Sequence, residues 1–189
     1  MRRLSEPVLG WRVWRLRGRE LTSWGATYVW RPGHNAAGCL KPANPCGAAP
    51  GQGCRCGFWG LYSVQRCVSR ARQDHGERTP VLGLIRAWGE IAVHETEGFR
   101  AQYAAPVCLF TDWIWDSPPS VRPETSLGRW WCAFRRLLAG DFLAGEPASD
   151  LEAKIREAAD EYGIPALSLP DALRLGALQE LGVDLAGVP

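Results

Sequence analysis

The chain has 189 residues, of which 46% are hydrophobic and 22% charged, a composition typical of a folded globular protein. This length supports one good core, so we expect a single domain with a β-rich core over 1–125 and a helical part over 126–189 packed on it. No apolar run is long enough to cross a membrane, and the charged N-terminus lacks the apolar stretch of a secretory signal. We therefore expect a cytoplasmic protein without membrane contact.

The net charge is only +2, but the basic side chains are concentrated in the first part of the chain. Residues 1–80 contain twelve arginines and one lysine against four acidic residues, so this part could contact phosphate groups. The predicted contacts to a nucleic-acid backbone are four closely spaced arginines: Arg12, Arg15, Arg17 and Arg19. A GC-rich genome would produce the same excess of arginine, so charge alone does not decide between the two explanations.

Strands are predicted in the first half of the chain. Residues 11–31 are rich in aromatic and β-branched side chains, and the short apolar run 57–62 is typical of a buried strand. Ser63 then predicts the N-cap of a helix from Val64 to about Asp74.

The clearest strand pair is formed by 81–94 and 99–105, joined by a four-residue loop that ends in glycine. This loop predicts that His94 pairs with Phe99. The pairing would place one set of side chains on a shared face of the hairpin: Trp88, Glu90, His94, Phe99 and Tyr103. Arg100 is expected on the opposite face, unless a bulge shifts one of the strands.

The remainder of the chain is predicted to contain a further strand, a proline-containing loop and a series of helices. In chain order these elements are the strand 106–110, the loop 112–124, the helices 126–139 and 149–162, the short strand 164–167 and a last helix 168–181. Strands thus precede helices. The predicted fold class is α+β, built on a small curled antiparallel sheet with helices added at the C-terminal end.

Four cysteines lie within eighteen residues, in the segment 39–56 that we call the cysteine loop. The rest of this loop is mostly Pro, Gly, Ala, Asn and Gln, which bury too little apolar surface to order it. A tetrahedral zinc ion bound by thiolates would order the loop, and the predicted ligands are Cys39, Cys46, Cys54 and Cys56. Four thiolates leave no open position for water, which favours a structural zinc over a catalytic one. His34 is an alternative to one cysteine, since imidazole also binds zinc.

The other three cysteines, Cys67, Cys108 and Cys132, have apolar or helical surroundings and are expected in the core. An odd total of seven cysteines argues against a closed disulfide framework. Clustered thiols in a reducing compartment bind metal more often than they form disulfides, which agrees with the expected cytoplasmic location.

Two segments of the chain carry longer motifs. Cys54–Gly60 fits the pattern C-x-C-G-[IFY]-[YW]-[AG], and Val81–Glu95 fits V-x-G-x-[VI]-x-x-W-G-x-[VI]-x-x-H-E. Both motifs resemble those of a family of small bacterial and phage proteins, mostly actinobacterial, to which no activity is assigned. The resemblance therefore implies no catalytic residue. Cys46 stands where that family is expected to have a histidine, which keeps four ligands but shifts the site towards pure thiolate.

The glycine-containing central strand and an expected aromatic pocket also resemble the PUA-like barrels, which include readers of modified bases. This resemblance implies a small β-barrel fold and does not by itself imply a function.

The leading hypothesis is a non-enzymatic, zinc-stabilised protein that binds nucleic acid and holds a flipped or single-stranded base in an aromatic pocket. The predicted ligand-binding residues are Trp59, Trp88, Glu90, His94, Arg100 and Tyr103. They combine aromatic faces, on which a base can stack, with side chains that can hydrogen-bond to its edge.

Two alternatives stay open on the sequence. Ten tryptophans also suit an interaction or adaptor protein of phage origin, whose aromatic surface binds another protein. An enzyme could use His94, Glu90 and Glu95 as acid–base groups, or a reactive cysteine. No catalytic motif accompanies these residues, so a binding protein is preferred to an enzyme.

Overall fold

A computed structural model describes residues 2–3, 6–24, 26–39, 41, 45–72, 80–112, 148–169 and 172. The elements in these ranges are β1 (Arg2–Arg3), β2 (Val8–Arg17), β3 (Glu20–Ser23), β4 (Asn35–Ala36), β5 (Phe58–Leu61), α1 (Val64–Arg72), β6 (Pro80–His94), β7 (Gly98–Phe110), α2 (Ala148–Tyr162) and β8 (Ala166–Leu167). The predicted helix 126–139, nearly all of the loop 112–124, most of the last helix and Cys132 lie outside the described residues. None of the helices in the described ranges is long and apolar enough to cross a membrane.

The strands form a mostly antiparallel sheet that curls round on itself. The long strands β6 and β7 form a hairpin, β2 pairs with β6, and β5 pairs with β7. Trp11 of β2 also pairs with Leu61 of β5. The strands β2, β6, β7 and β5 are therefore each paired with the next, and the last of them is paired with the first. The short strand β8 runs parallel to β7. The α+β class and the mainly antiparallel sheet predicted from the sequence are confirmed.

Neighbouring residues along β2 and β6 alternate between two apolar clusters, as the period of a strand requires. The first cluster contains Trp14, Leu21, Trp30, Phe58, Val81, Ile85, Ala87, Ile91, Phe99, Ala101, Ala104, Leu109, Ile155, Ala158, Ala159 and Tyr162. The second contains Trp11, Val13, Leu61, Val64, Cys67, Leu82, Leu84, Cys108, Phe110 and Ala172. Both faces of the central strands are therefore buried, which is why β6 and β7 are long apolar runs.

The two helices cover different clusters. α1 begins where the backbone N–H of Arg66 donates to Ser63 Oγ over 3.3 Å, which confirms the predicted N-cap, and it packs on the second cluster through Val64 and Cys67. α2 ends at Gly163, whose φ of 63° suits glycine at a helix C-terminus. Its apolar face joins the first cluster, where the Tyr162 hydroxyl donates to the carbonyl of Trp30 over 2.7 Å.

The predicted register of the β6–β7 hairpin is wrong by one residue. His94 pairs with Gly98 rather than Phe99, and Arg100 pairs with Ala92. The reason lies on the neighbouring strand: Gly98 also pairs with Leu61, and a Cβ at Gly98 would collide with the carbonyl oxygen of Gly60. The strand must therefore begin at the glycine. A one-residue shift moves every side chain to the other face, so Arg100 and His94 share a face.

A bulge in β6 separates the aromatic end of the hairpin from the histidine end. Trp88 pairs with Tyr103, so the two share a face as the sequence predicts, but between this pair and the pair Ile91–Ala101 two residues of β6, Gly89 and Glu90, oppose one residue of β7, Gln102. The extra residue changes the parity of β6. Trp88 therefore faces away from the side that Arg100 and His94 share, as does its partner Tyr103, which lies three residues from Arg100 on β7.

Candidate metal centre and ligand pocket

The four predicted cysteine ligands converge at one point. The Sγ atoms of Cys39, Cys46, Cys54 and Cys56 all lie within 4.8 Å of one another. Two of the separations are 3.7 Å, between Cys39 and Cys54, and 3.2 Å, between Cys46 and Cys56. A tetrahedral ion with Zn–S bonds of about 2.3 Å would hold its sulfurs about 3.8 Å apart. The four thiols thus have the spacing that a single metal ion requires.

The backbone of the cysteine loop stabilises thiolates. The backbone N–H of Cys56 is the main reason why the pKa of Cys54 falls to about 6, and the backbone N–H groups of Cys46 and Lys41 lower the pKa of Cys39. The hydrogen bond between the Cys46 and Cys56 thiols raises the pKa of Cys46 to about 12. The loop therefore favours the deprotonated thiolate, which is the form that binds metal, at Cys39 and Cys54. At Cys46 the thiol keeps its proton in the hydrogen bond with Cys56, and a bound metal ion would displace this proton.

All described cysteines are free thiols, so the cysteine loop is not closed by disulfides. Four thiolates in a tetrahedron are the ligand set typical of a structural zinc, because no position remains for water. His34 takes no part in this group. Its ring lies 4.9 Å from that of Tyr103 and 5.4 Å from that of Trp88, measured between centroids.

Arg100 connects the cysteine loop to the sheet. Its Nη1 donates to the backbone carbonyls of Cys54 and Cys56, and its Nε donates to Nε2 of His94 over 2.8 Å. The guanidinium also lies 5.7 Å from the ring centroid of Trp59, and the residue is only 6% exposed. We therefore assign Arg100 a structural role, in place of the ligand contact predicted from the sequence.

His94 is held in the same arrangement. Its ring stacks on Trp59 with centroids 4.7 Å apart, and its Nε2 is the unprotonated nitrogen because it accepts from Arg100. The lone pair that a general base would use is therefore already engaged. This geometry argues against the acid–base enzyme.

The six predicted ligand-binding residues do not form one site. Trp59, His94 and Arg100 lie together, whereas Trp88 and Tyr103 form a separate aromatic group with His34. Glu90 is exposed, and its backbone N–H donates to the side chain of Gln102 in the bulge. The parity change at the bulge is the physical reason for the separation.

Within the described part of the chain, a half-open cavity of about 110 Å³ lies between β2, β5 and α1. We call it the tryptophan pocket, and its lining residues are Trp11, Arg12, Val13, Trp24, Trp59, Leu61 and Cys67. Of the predicted ligand-binding residues only Trp59 lines it. Trp11 and Trp24 are not among the residues predicted to bind a ligand. For Trp11 a signal was present, because the alternation of Trp11, Val13 and Arg15 along β2 places these three side chains on one face.

The four predicted phosphate-binding arginines have different environments. Arg12 is 9% exposed and belongs to the interior: its Nη1 donates to the carbonyl of Trp59 over 2.6 Å, and its Nη2 donates to Ser23 Oγ over 3.0 Å. Its guanidinium lies 4.6 Å from the ring centroid of Trp30, and burial lowers its pKa to about 10. Arg12 thus supports the backbone of Trp59 from the interior, and this geometry lends no support to the predicted phosphate contact.

The other three arginines lie nearer the surface. Arg15 is half-buried with its guanidinium 4.9 Å from the ring centroid of Trp24, and Arg17 is exposed at the end of β2. Arg19 is exposed and its Nε lies 3.1 Å from a carboxylate oxygen of Glu157 on α2. Arg15 and Arg17 thus remain on the β2 face that leads to the tryptophan pocket.

No family model, no curated protein and no solved structure matches this chain.

Proposed function

We propose that this protein is a non-enzymatic, zinc-stabilised nucleic-acid-binding protein that holds one unstacked base in the tryptophan pocket. The observation that carries the proposal is the pocket itself, in which three tryptophans from separate parts of the chain surround a space of ring size. Aromatic side chains bind single-stranded nucleic acid by stacking on exposed bases, and each stacked base contributes about 1–3 kcal/mol.

Basic residues flank the pocket on the strand that forms its wall. Arg15 and Arg17 alternate with Leu16 along β2 and share a face with Trp11 and Val13. Arg17 is exposed at the end of that row. A nucleic-acid strand with one base in the pocket could therefore run its phosphates past these arginines.

In this proposal the zinc ion is structural. It would bind the four cysteines and order a loop whose carbonyls are hydrogen-bonded to Arg100, the residue that also contacts Trp59. We further propose that the curled sheet is a small PUA-like barrel and that the protein works in the cytoplasm, where thiols remain reduced.

Binding of short oligonucleotides, followed by tryptophan fluorescence over a series of salt concentrations, tests this function. We expect single strands to bind more tightly than duplexes of the same sequence, and affinity to fall steeply as salt rises. Arg17→Gln should lower the affinity and reduce the salt slope by about one phosphate contact. Arg156→Gln is the matched control, because Arg156 is exposed on α2 and paired with Glu152. Absence of binding at low salt would contradict the proposal.

A protein partner is the second candidate, supported by two exposed apolar residues near the β6–β7 turn. Tyr62 is 46% exposed with its ring 6.1 Å from that of Phe99, and Val93 is 55% exposed and pairs with Phe99. Both thus neighbour Phe99, and we propose that they contribute to one apolar contact surface. Substitution Val93→Lys should leave nucleic-acid binding unchanged and would abolish only an interaction that uses this surface.

A further inference from the structure

We infer that the base bound in the tryptophan pocket is a pyrimidine with two ring carbonyls, uracil or thymine. The inference rests on the proposed function, since it concerns the same pocket, and it adds the chemical class of the ligand. Two observations carry it: the size of the cavity and the buried charge of Arg12.

The size of the pocket selects one ring. Its volume is about 110 Å³. An apolar cavity of about 150 Å³ holds a single benzene ring, so this smaller, half-open space accommodates one six-membered ring more fully than the fused rings of a purine. The flat indole walls suit a planar ligand rather than a phosphate or a sugar. Size therefore favours pyrimidines.

The charge of the pocket selects among the pyrimidines. Arg12 is the one charged residue among the described residues that line it, and within the described ranges no carboxylate contacts its guanidinium. Its Nε has no hydrogen-bond partner in the described structure, although the atom is buried. The Nη atoms of Arg12 are engaged with Trp59 and Ser23, so Arg12 acts on the pocket through the field of its buried charge, which attracts groups of high electron density and repels donors.

The edges of the pyrimidines differ in this respect. Uracil and thymine have two carbonyl oxygens, whereas cytosine has one carbonyl and an exocyclic amino group that only donates. The field of Arg12 therefore stabilises a bound dioxo pyrimidine and disfavours the amino edge of cytosine. The methyl group of thymine would meet apolar walls such as Val13 and Leu61.

The experiment compares homopolymers on the zinc-loaded protein at one salt concentration. Affinities of oligothymidylate, oligocytidylate and oligoadenylate of equal length are measured by tryptophan fluorescence, and free thymidine and cytidine are used as competitors. We expect oligothymidylate to bind roughly tenfold more tightly than the other two, since a matched polar contact discriminates by about 1–3 kcal/mol. Thymidine should compete better than cytidine.

The outcomes separate the two proposals. Equal binding of all three homopolymers would overturn the inference about the base and leave nucleic-acid binding intact. Failure of all three to bind would overturn the proposed function itself. Preference for oligoadenylate or oligocytidylate would show that the pocket does not select by ring size and charge as argued, and would also overturn the inference.

A variant provides an independent check. Arg12→Gln removes the charge but keeps a polar side chain, so we expect the thymidylate preference to fall to about twofold or less. Arg17→Gln is the control, because it should weaken binding of thymidylate and cytidylate equally. Thermal melting establishes whether Arg12→Gln is folded; if it is not, the homopolymer comparison on the unsubstituted protein decides.

Discussion

The Nη1 atom of Arg100 lies 3.0 Å from the carbonyl oxygen of Cys56, and this hydrogen bond joins the cysteine loop to β7. The same guanidinium donates to His94 and lies over Trp59, which lines the tryptophan pocket. Order in the cysteine loop and order at the pocket wall are therefore linked through one buried side chain. Zinc is expected to influence ligand binding by this route, without touching the ligand.

Arg100→Lys should loosen both sites. Lysine retains the charge, but its donors all lie on one nitrogen, which cannot replace both the Nη1 that meets the carbonyls and the Nε that meets His94, so buried acceptors lose their partners. We expect the free energy of unfolding to fall by about 3 kcal/mol and zinc to dissociate at lower chelator concentrations. Urea unfolding and chelator titration measure these effects. Arg86→Lys, at an exposed position of β6, is the control; equal stability of the two variants would contradict the role of Arg100.

Cys54→Ser should remove the metal and destabilise the protein. Only three thiolates would remain, and the loop has little apolar surface to hold it once the ion is lost. Metal content by mass spectrometry should be near one zinc per chain in the unsubstituted protein and far lower in the variant. Cys108→Ser is the comparison. Cys108 is buried in the second cluster and is not one of the four candidate ligands, so this variant should keep its zinc. A Cys54→Ser protein with full zinc and an unchanged Tm would refute the metal site.

The buried thiol of Cys108 predicts a loss of stability at alkaline pH. Burial raises its pKa from 9.0 to about 12, so the unfolded chain loses this proton before the folded protein does. The resulting stabilisation is complete below pH 9 and disappears as the pH rises through 12. The free energy of unfolding should therefore fall more steeply over this range in the unsubstituted protein than in Cys108→Ala. Parallel pH profiles of the two proteins would show that Cys108 does not contribute.

Two tryptophan variants test where the base binds. Trp59 lines the tryptophan pocket, whereas Trp88 lies in the separate group with His34 and Tyr103. Loss of one stacked base costs about 1–3 kcal/mol, so Trp59→Leu should weaken oligonucleotide binding by roughly tenfold or more, and Trp88→Leu should leave it nearly unchanged. Fluorescence anisotropy with a labelled oligonucleotide measures both. The reverse result would place the ligand on the Trp88 face.

Local features of the chain were readable without the fold. The N-cap at Ser63 and the glycine that ends α2 are signals contained within a few residues, and both appear where the sequence predicts them. The four cysteines are likewise close along the chain, and their separation by Pro- and Gly-rich segments leaves metal binding as the means of ordering them. Such inferences succeed because each depends on neighbours in sequence.

The register of the β6–β7 hairpin was not readable in this way. The turn sequence allows His94 to pair with either Phe99 or Gly98, and the choice is made by close approach of Gly98 to Gly60 on another strand. A shift of one residue then decided that Arg100 meets His94 instead of facing away from it. The role of Arg100 changed from ligand contact to internal support for the same reason.

By itself, the sequence determined the α+β class, the start of α1, the end of α2 and the four metal-ligand candidates, because composition, capping and short-range spacing carry that information. Only the tertiary structure decided that Trp11, Trp24 and Trp59 line one cavity and that Arg12 is buried beside it. Trp11 and Arg12 lie on β2, Trp24 follows β3 and Trp59 lies on β5, so the lining comes from separate segments of the chain. Their meeting depends on strand pairing and register, which are set by long-range packing.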